Sequence, residues 1–256
     1  MEEVVDKGCE TCAFYNAAQL KKLGINVENA DFVVTLAGNP NTGKSTVFNA
    51  LTGLRQHTGN WAGKTVTRAE GGFKYNDKRF KLIDLPGTYS LLSTSEDEEV
   101  ARNTILFGRP DVTVIVADAS RLERNLNLVL QVLEITDKAV LCLNLMDEAT
   151  RHGIKIDDRT LAKDLGIPVV VTSARSNEGI PELIQTIYQV ASGEITCKPH
   201  RIKNLPPKVE KAVKSLSERI IQTYPNLPNS RWIAMRLLDG DQQILSALKN
   251  GELVNV

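Results

Sequence analysis

The chain is poor in most of the residues that disclose a function early. It has three histidines and four cysteines in 256 residues. The histidines, His57, His152 and His200, show no ligand spacing, so no histidine metal centre is expected. The cysteines, Cys9, Cys12, Cys142 and Cys197, are too few to staple a chain of this length, which makes a reducing compartment the expectation. Cys9 and Cys12 stand as C-E-T-C, half of a zinc site with no second pair to complete it. Cys142 falls inside an apolar run and reads as a small buried residue. Excess charge is absent too: 31 basic side chains balance 31 acidic ones, so neither nucleic acid nor an anionic membrane is expected as the main partner. No apolar run approaches the roughly 18 residues that cross a bilayer, and no secretory signal opens the chain. The chain as it stands is expected to be soluble.

What is present is an alternation. Apolar strand patterns at 31–38, 66–76, 78–87, 111–118, 138–147 and 167–174 are separated by helical patterns at 43–53, 121–136, 157–165 and 180–192. Near-continuous apolar strands alternating with helices specify an α/β fold with a mostly parallel central sheet flanked by helices. The pair at 66–84, joined by a turn at Asn76-Asp77, should supply one antiparallel edge strand. Ahead of this lies residues 1–30, an extension whose helical pattern "CAFYNAAQLKKLGI" ends at Gly24. Behind it, the proline-rich and basic stretch 197–207 reads as a linker. A small helical bundle then follows at 208–224, 230–240 and 241–250. Val209, Val213, Leu216 and Ile220 mark one face of its first helix, and Trp232 is expected to anchor its core. The division expected is therefore 1–30, an α/β domain at 31–197 and a helical domain at 198–256.

The chemistry sits on the strand ends. "GNPNTGKS" (38–45) fits G-x-x-x-x-G-K-[ST] between a predicted strand and a predicted helix, the context that gives the pattern its meaning. Gly38, Asn39, Asn41, Thr42, Gly43, Lys44, Ser45 and Thr46 would form the phosphate cradle, with the helix N-terminus adding partial positive charge. Lys44 would neutralise β- and γ-phosphate oxygens, and Ser45 would offer its hydroxyl to Mg²⁺. Asp84-Leu85-Pro86-Gly87 ends a strand about forty residues later, placing a carboxylate for the same metal and the Gly87 N–H for a γ-phosphate. Asn144-Leu145-Met146-Asp147 ends another strand. There Asp147 can accept two hydrogen bonds from guanine, whereas adenine would present it with a lone pair, a mismatch that discriminates strongly. Ser173 and Ala174 end the next strand, and the Ala174 N–H could reach guanine O6. Together these motifs specify an enzyme acting on GTP and GDP.

The set GNPNTGKS, DLPG, NLMD and TSA resembles the P-loop GTPases of the translation-factor-like class. More narrowly, "GNWAGKTVTRAEG" (59–71) and "DLPGTYSLLSTSEDEEVAR" (84–102) are similar to the N-terminal cytosolic domain of FeoB, the bacterial ferrous iron transporter family. The resemblance covers residues 31–256, bundle included, and leaves residues 1–30 outside. It implies a GTPase on the cytoplasmic face of a bacterial membrane, coupled to a membrane-embedded region that this sequence lacks. It also implies switch I at 55–65, with Thr65 sensing the γ-phosphate and ligating Mg²⁺, and switch II at 84–99. Asn41 stands where potassium-activated members hold a monovalent cation, with the backbone carbonyls of Gly59 and Trp61 completing the shell. K⁺ there would do an arginine finger's electrostatic work. Lys44, Asn41, Thr65 and Gly87 are thus the residues expected to act on the phosphates. Homo-oligomerisation stays open, and the acidic run Glu96-Asp97-Glu98-Glu99 reads as a solvated helix start.

Two positions depart from the signalling GTPases. Thr88 follows Gly87 where Ras-type enzymes carry a water-orienting glutamine, so unassisted hydrolysis should run at or below about 10⁻³ s⁻¹. Leu145 replaces the usual lysine of N-K-x-D, which should weaken nucleotide binding and speed GDP release. A freestanding soluble GTPase of the ribosome-assembly or tRNA-modification kind is the alternative, since it can share the potassium asparagine. Such proteins usually carry an RNA-binding module, and none is recognisable in the C-terminal bundle.

Overall fold

The computed structural model describes residues 20–249, apart from 22, 28, 55, 93, 94, 202–204, 226 and the side chain of Gln56; the C-E-T-C pair lies outside them. Seven strands form one sheet: β1 (Phe32–Gly38), β2 (Gln56–Asn60), β3 (Thr67–Tyr75), β4 (Lys78–Asp84), β5 (Val112–Asp118), β6 (Ala139–Asn144) and β7 (Val169–Val171). Their order is β2-β3-β4-β1-β5-β6-β7. From β4 to β7 every neighbour is parallel, while β3 runs antiparallel to β4 and β2 antiparallel to β3. The helices are α1 (Lys44–Thr52), α2 (Glu96–Leu106), α3 (Leu122–Ile135), α4 (Met146–Arg151), α5 (Asp158–Leu165), α6 (Ile180–Ala191), α7 (Pro207–Thr223), α8 (Ser230–Leu238) and α9 (Gln242–Lys249).

Alternate residues of the central strands feed two separate cores, which is why those strands read as unbroken apolar runs. Val34, Leu36, Leu82, Val114 and Val116 meet Val47 and Phe48 of α1 and Leu183 and Ile187 of α6. Val33, Ile83, Ile115 and Leu141 face the other way, into a larger cluster shared with α2, α3 and the C-terminal helices. Cys142 is buried as expected, and desolvation pushes its thiol up to about 12.

Four sequence expectations need correction. First, β3 is not the edge strand: residues 56–60 add β2 outside it, in register Gln56↔Gly71 to Asn60↔Thr67. The described β2 side chains are all exposed, so "QHTGN" carries no apolar alternation to betray a strand. Second, β6 stops at Asn144 rather than running to 147, because Leu145 turns the backbone with φ 60° and α4 begins at Met146. Third, the extension is not separate from the main domain. Leu20 and Ile25 are 1 % and 0 % exposed and belong to its core. Fourth, the first part of the stretch after 196 is tied to the main domain at residues 198, 200 and 201. Lys198 and His200 donate backbone N–H groups to Gly166 and Leu165, and Arg201 Nε donates to the Leu133 carbonyl at 2.8 Å.

In the helical bundle Val213, Ile220 and Trp232 are buried as the pattern predicts, whereas Val209 is 42 % exposed. The bundle is joined to α2 by a buried ionic relay. Arg102, 2 % exposed, donates to Gln243 Oε1 at 3.2 Å and lies 3.8 Å from Asp241. Asp241 in turn accepts from Arg236 at 3.0 Å, and Arg236 reaches the Leu92 carbonyl at 3.1 Å. Burial draws the Arg102 guanidinium below its usual value, and Asp241 opposes that shift. Asp241 also accepts the N–H groups of Gln243 and Ile244 at the start of α9. Asp241→Ala should therefore strand a buried cation and uncap a helix, costing about 3–5 kcal/mol. Urea denaturation of the whole chain checks this, with Asp239→Ala as the control. The Asp239 side chain is 71 % exposed, and its loss should cost about 1 kcal/mol or less.

Candidate active site

The loop between β1 and α1 is shaped from within. Thr42 Oγ1 donates to the Asn39 carbonyl at 3.0 Å, and both residues are buried, so Asn39 and Thr42 build the turn. Asn41, by contrast, is exposed at the loop's tip with φ 66°. Gly43 precedes the helix with φ 79°, and a Cβ there would lie 2.4 Å from Asn144 Nδ2. Both its backbone and its neighbour demand glycine. α1 has no side-chain cap and no acidic residue in its first turn, so its leading N–H groups and dipole remain available to an anion. Ser45 and Thr46 are exposed in that first turn.

Beside the loop, Lys44 Nζ donates to Asp84 Oδ1 and, at 2.6 Å, to the Leu85 carbonyl. Burial pushes the Asp84 carboxyl above its ordinary value, and Lys44 pulls it part of the way back. The D-L-P-G run is stitched alongside β1: Leu85 N–H donates to Leu36 and Thr88 N–H to Gly38. A Cβ on Gly87 would stand 3.5 Å from Pro40, so the two turns touch. Thr88 is buried.

At the far end, Asn144 is a hub. Its Nδ2 donates to the Thr42 carbonyl at 3.0 Å, while its Oδ1 accepts from Thr172 Oγ1 and the Ala174 N–H, each at 3.1 Å. The donor expected for guanine O6 is therefore committed to Asn144 here. Asp147 has a side chain 46 % exposed and pairs with Arg151 at 3.2 Å, and its N–H donates to Ser173 Oγ. Met146 opens α4, and its N–H donates to the Thr172 carbonyl. Leu145 leans over the loop, with its Cδ2 3.7 Å from where a Gly43 Cβ would sit. A cleft of about 560 Å³ separates Asn41 and Gly43 from Leu145, Glu148 and His152.

Switch I is not with them. Gly59 lies in β2, three strand spacings or about 14 Å from β1. Trp61 is buried in the core, and its carbonyl accepts from the Lys64 N–H at 3.1 Å. Thr65 Oγ1 donates to Glu96 at 3.1 Å, and Lys64 pairs with Glu99 at 3.0 Å. The structure thus assembles Asn41, Lys44, Ser45, Asp84, Gly87 and Asn144, and leaves Thr65, Gly59 and Trp61 on α2 and the sheet edge. Ladder pairing of residues 56–60 and burial of the Trp61 ring are the causes. Several contributors were missed in the sequence. Thr172 orients Asn144, and its place before the S-A pair could have signalled it. Arg68 and the glutamates of α2 organise switch I through partners distant in sequence, and no local pattern announces them.

A sequence model of the family described as ferrous iron transport protein B matches residues 32–187. A second, the FeoB cytosolic helical domain, matches residues 206–255. The chain belongs to the FeoB family. Among its relatives, an Fe(2+) transport protein A/Fe(2+) transporter FeoB fusion protein of Porphyromonas gingivalis is 41% identical over 216 residues, which are 82% of this chain and 25% of that protein. The Fe(2+) transporter FeoB of Escherichia coli K12 is 40% identical over 212 residues, covering 81% of this chain and 27% of the transporter. The chain spans about a quarter of the length of these curated relatives. The cytosolic domain of the Thermotoga maritima FeoB, solved in a GDP form, superposes with a TM-score of 0.77 at 42% identity over 84% of each chain. That of Legionella pneumophila gives 0.77 at 35% identity over 87% of each. The chain accordingly carries a P-loop GTPase fold followed by C-terminal helices.

Asn144→Ala should release the P-loop from β6 and β7 together. It leaves the Thr42 carbonyl, the Thr172 hydroxyl and the Ala174 N–H without this partner, at about 1–3 kcal/mol for each group left buried and unpaired. Urea denaturation should show a loss of that order, and titration with a fluorescent GDP should show affinity falling by at least tenfold, about 1.4 kcal/mol.

Proposed function

We propose that this chain is the nucleotide-switched cytoplasmic module of a bacterial ferrous iron transporter, using GTP hydrolysis to signal to a membrane-embedded region. The observation that carries this reading is the convergence of the P-loop, Asp84 and the Asn144 hub at the carboxyl ends of β1, β4 and β6 in a FeoB-family chain. Ligands in open α/β sheets bind at that edge. No helix among the described residues is long and apolar enough to cross a membrane; in this reading the spanning region belongs to the rest of the transporter.

In this reading Lys44 exchanges Asp84 for β- and γ-phosphate oxygens, and the free N–H groups of α1 take the β-phosphate. The Gly87 N–H faces the γ-phosphate, and Asp147 turns from Arg151 to the guanine edge. Ser45 and Asp84 provide hard oxygen donors beside the cradle, a set that fits Mg²⁺, with Thr65 joining once it leaves Glu96. A bound Mg²⁺ would neutralise the phosphate oxygens. Asn41, exposed at the loop tip, would offer its amide oxygen to K⁺, and the carbonyls of Gly59 and Trp61 would complete the shell after β2 detaches. A monovalent cation held there would supply the positive charge that buried Thr88 cannot.

Steady-state GTP hydrolysis in potassium chloride should exceed that in sodium chloride at equal ionic strength by about tenfold or more. Asn41→Ala should abolish the difference. Equal rates in both salts would remove the cation site and return Asn41 to turn-shaping. A second expectation concerns Leu145, whose side chain lies over the loop without a charge. Leu145→Lys should slow GDP release several-fold in stopped-flow displacement of a fluorescent GDP, and an unchanged off-rate would dispose of the idea.

A further inference from the structure

We propose that the segment carrying Leu20, Leu23, Gly24 and Ile25 forms a strap that holds switch I in its strand-paired conformation and lets go when GTP is bound. The inference rests on the GTPase reading above, in which Thr65 must travel to the phosphates, and adds a control element specific to the extension.

The strap is a built feature. Ile25 N–H donates to the Leu20 carbonyl at 2.8 Å and Gly24 N–H to Lys21 at 2.9 Å, with Gly24 at φ 81°. That double closure is the pattern that ends helices, and the two apolar side chains flanking it belong to the core. Leu20 and Ile25 are both fully buried, and Leu20 packs at the end of α2, where a Cβ on Gly108 would meet it at 2.9 Å.

Its grip on switch I is direct. Arg68, the second residue of β3, donates Nη2 to the Gly24 carbonyl at 2.8 Å and Nη1 to Leu23 at 3.3 Å. The same guanidinium lies 5.2 Å from the Trp61 ring and pairs with Glu70 at 2.6 Å. A Cβ on Gly24 would stand 3.3 Å from Ala62 Cβ, so strap backbone lies against switch I itself. The loop between Trp61 and Val66 is closed by Trp61 N–H to Val66 at 3.0 Å and Lys64 N–H to Trp61 at 3.1 Å. Those bonds tie its two ends together, and its other side is held by Glu96 and Glu99 of α2. Thr65 cannot leave α2 for the phosphates without drawing Trp61 and Ala62 off the strap. Linkage then requires that strap docking oppose GTP by the factor with which GTP opposes docking.

The test compares the full chain, Arg68→Lys and a chain lacking residues 1–27. Affinities for fluorescent GMPPNP and GDP are measured with Mg²⁺, and tryptic cleavage after Lys21 is followed in the unmutated chain. GMPPNP should accelerate that cleavage and GDP should not. Both variants should bind GMPPNP at least about fivefold more tightly than the full chain, with GDP affinity within about twofold. Should the shortened chain fail to fold, Arg68→Lys and the cleavage rates decide. Cleavage equally fast with either nucleotide, or an unchanged affinity ratio in Arg68→Lys, overturns the strap. Failure of GMPPNP to bind at all overturns the GTPase reading instead.

Discussion

The carboxamide of Asn144 ties together three segments that no stretch of chain would hold in register by itself. It stands at the end of β6, donates to the backbone of the P-loop after β1, and accepts from the hydroxyl and N–H that follow β7. Each bond is buried, and an unmade buried bond is more costly than a made one is favourable. The loop that would take phosphate and the loops that would take the base are thereby fixed relative to each other. Gly43 follows from the same constraint, since the amide occupies the space that any side chain there would need.

Where Asn144 binds one end of the site through buried bonds, α2 holds the other end through weaker, partly exposed ones. Its first turn holds Lys64 and Thr65 through partly exposed carboxylates, contacts of the kind worth about 1 kcal/mol or less. Its middle holds the helical bundle through Arg102, which is fully buried and expensive to unpair. Its far end packs against the N-terminal strap at Leu20. Weak contacts on the switch I side and strong ones on the bundle side mean that a change in switch I can begin without dismantling the helical domain. A displaced α2 would nevertheless carry Arg102, and with it Asp241 and Arg236, along. Arg236 closes the circuit by bonding the backbone at Leu92 in switch II.

The pairing of Lys44 with Asp84 belongs to the same economy of charge. Both groups lie in a partly desolvated cleft, where an isolated charge is costly and a paired one is tolerable. A phosphate for the lysine and a cation for the carboxylate would replace one pairing by two, leaving neither charge without a partner.

The sequence by itself determined whatever depends on local pattern. Strand and helix periodicity marked the parallel sheet, and G-x-x-x-x-G-K-S between a strand and a helix marked the phosphate loop. The Gly24 ending and the Trp232 core position were also legible, because a left-handed glycine and an apolar stripe are written within a few residues. The tertiary structure alone decided the rest. β2 has no apolar face, so only its backbone pairing with β3 reveals it. The partnerships of Arg68 with Leu23 and Gly24, of Thr65 with Glu96 and of Arg102 with Asp241 span from 31 to 139 residues of sequence. Such pairs are chosen by burial and charge in three dimensions, and a chain read in order holds no trace of which distant partner each side chain will meet.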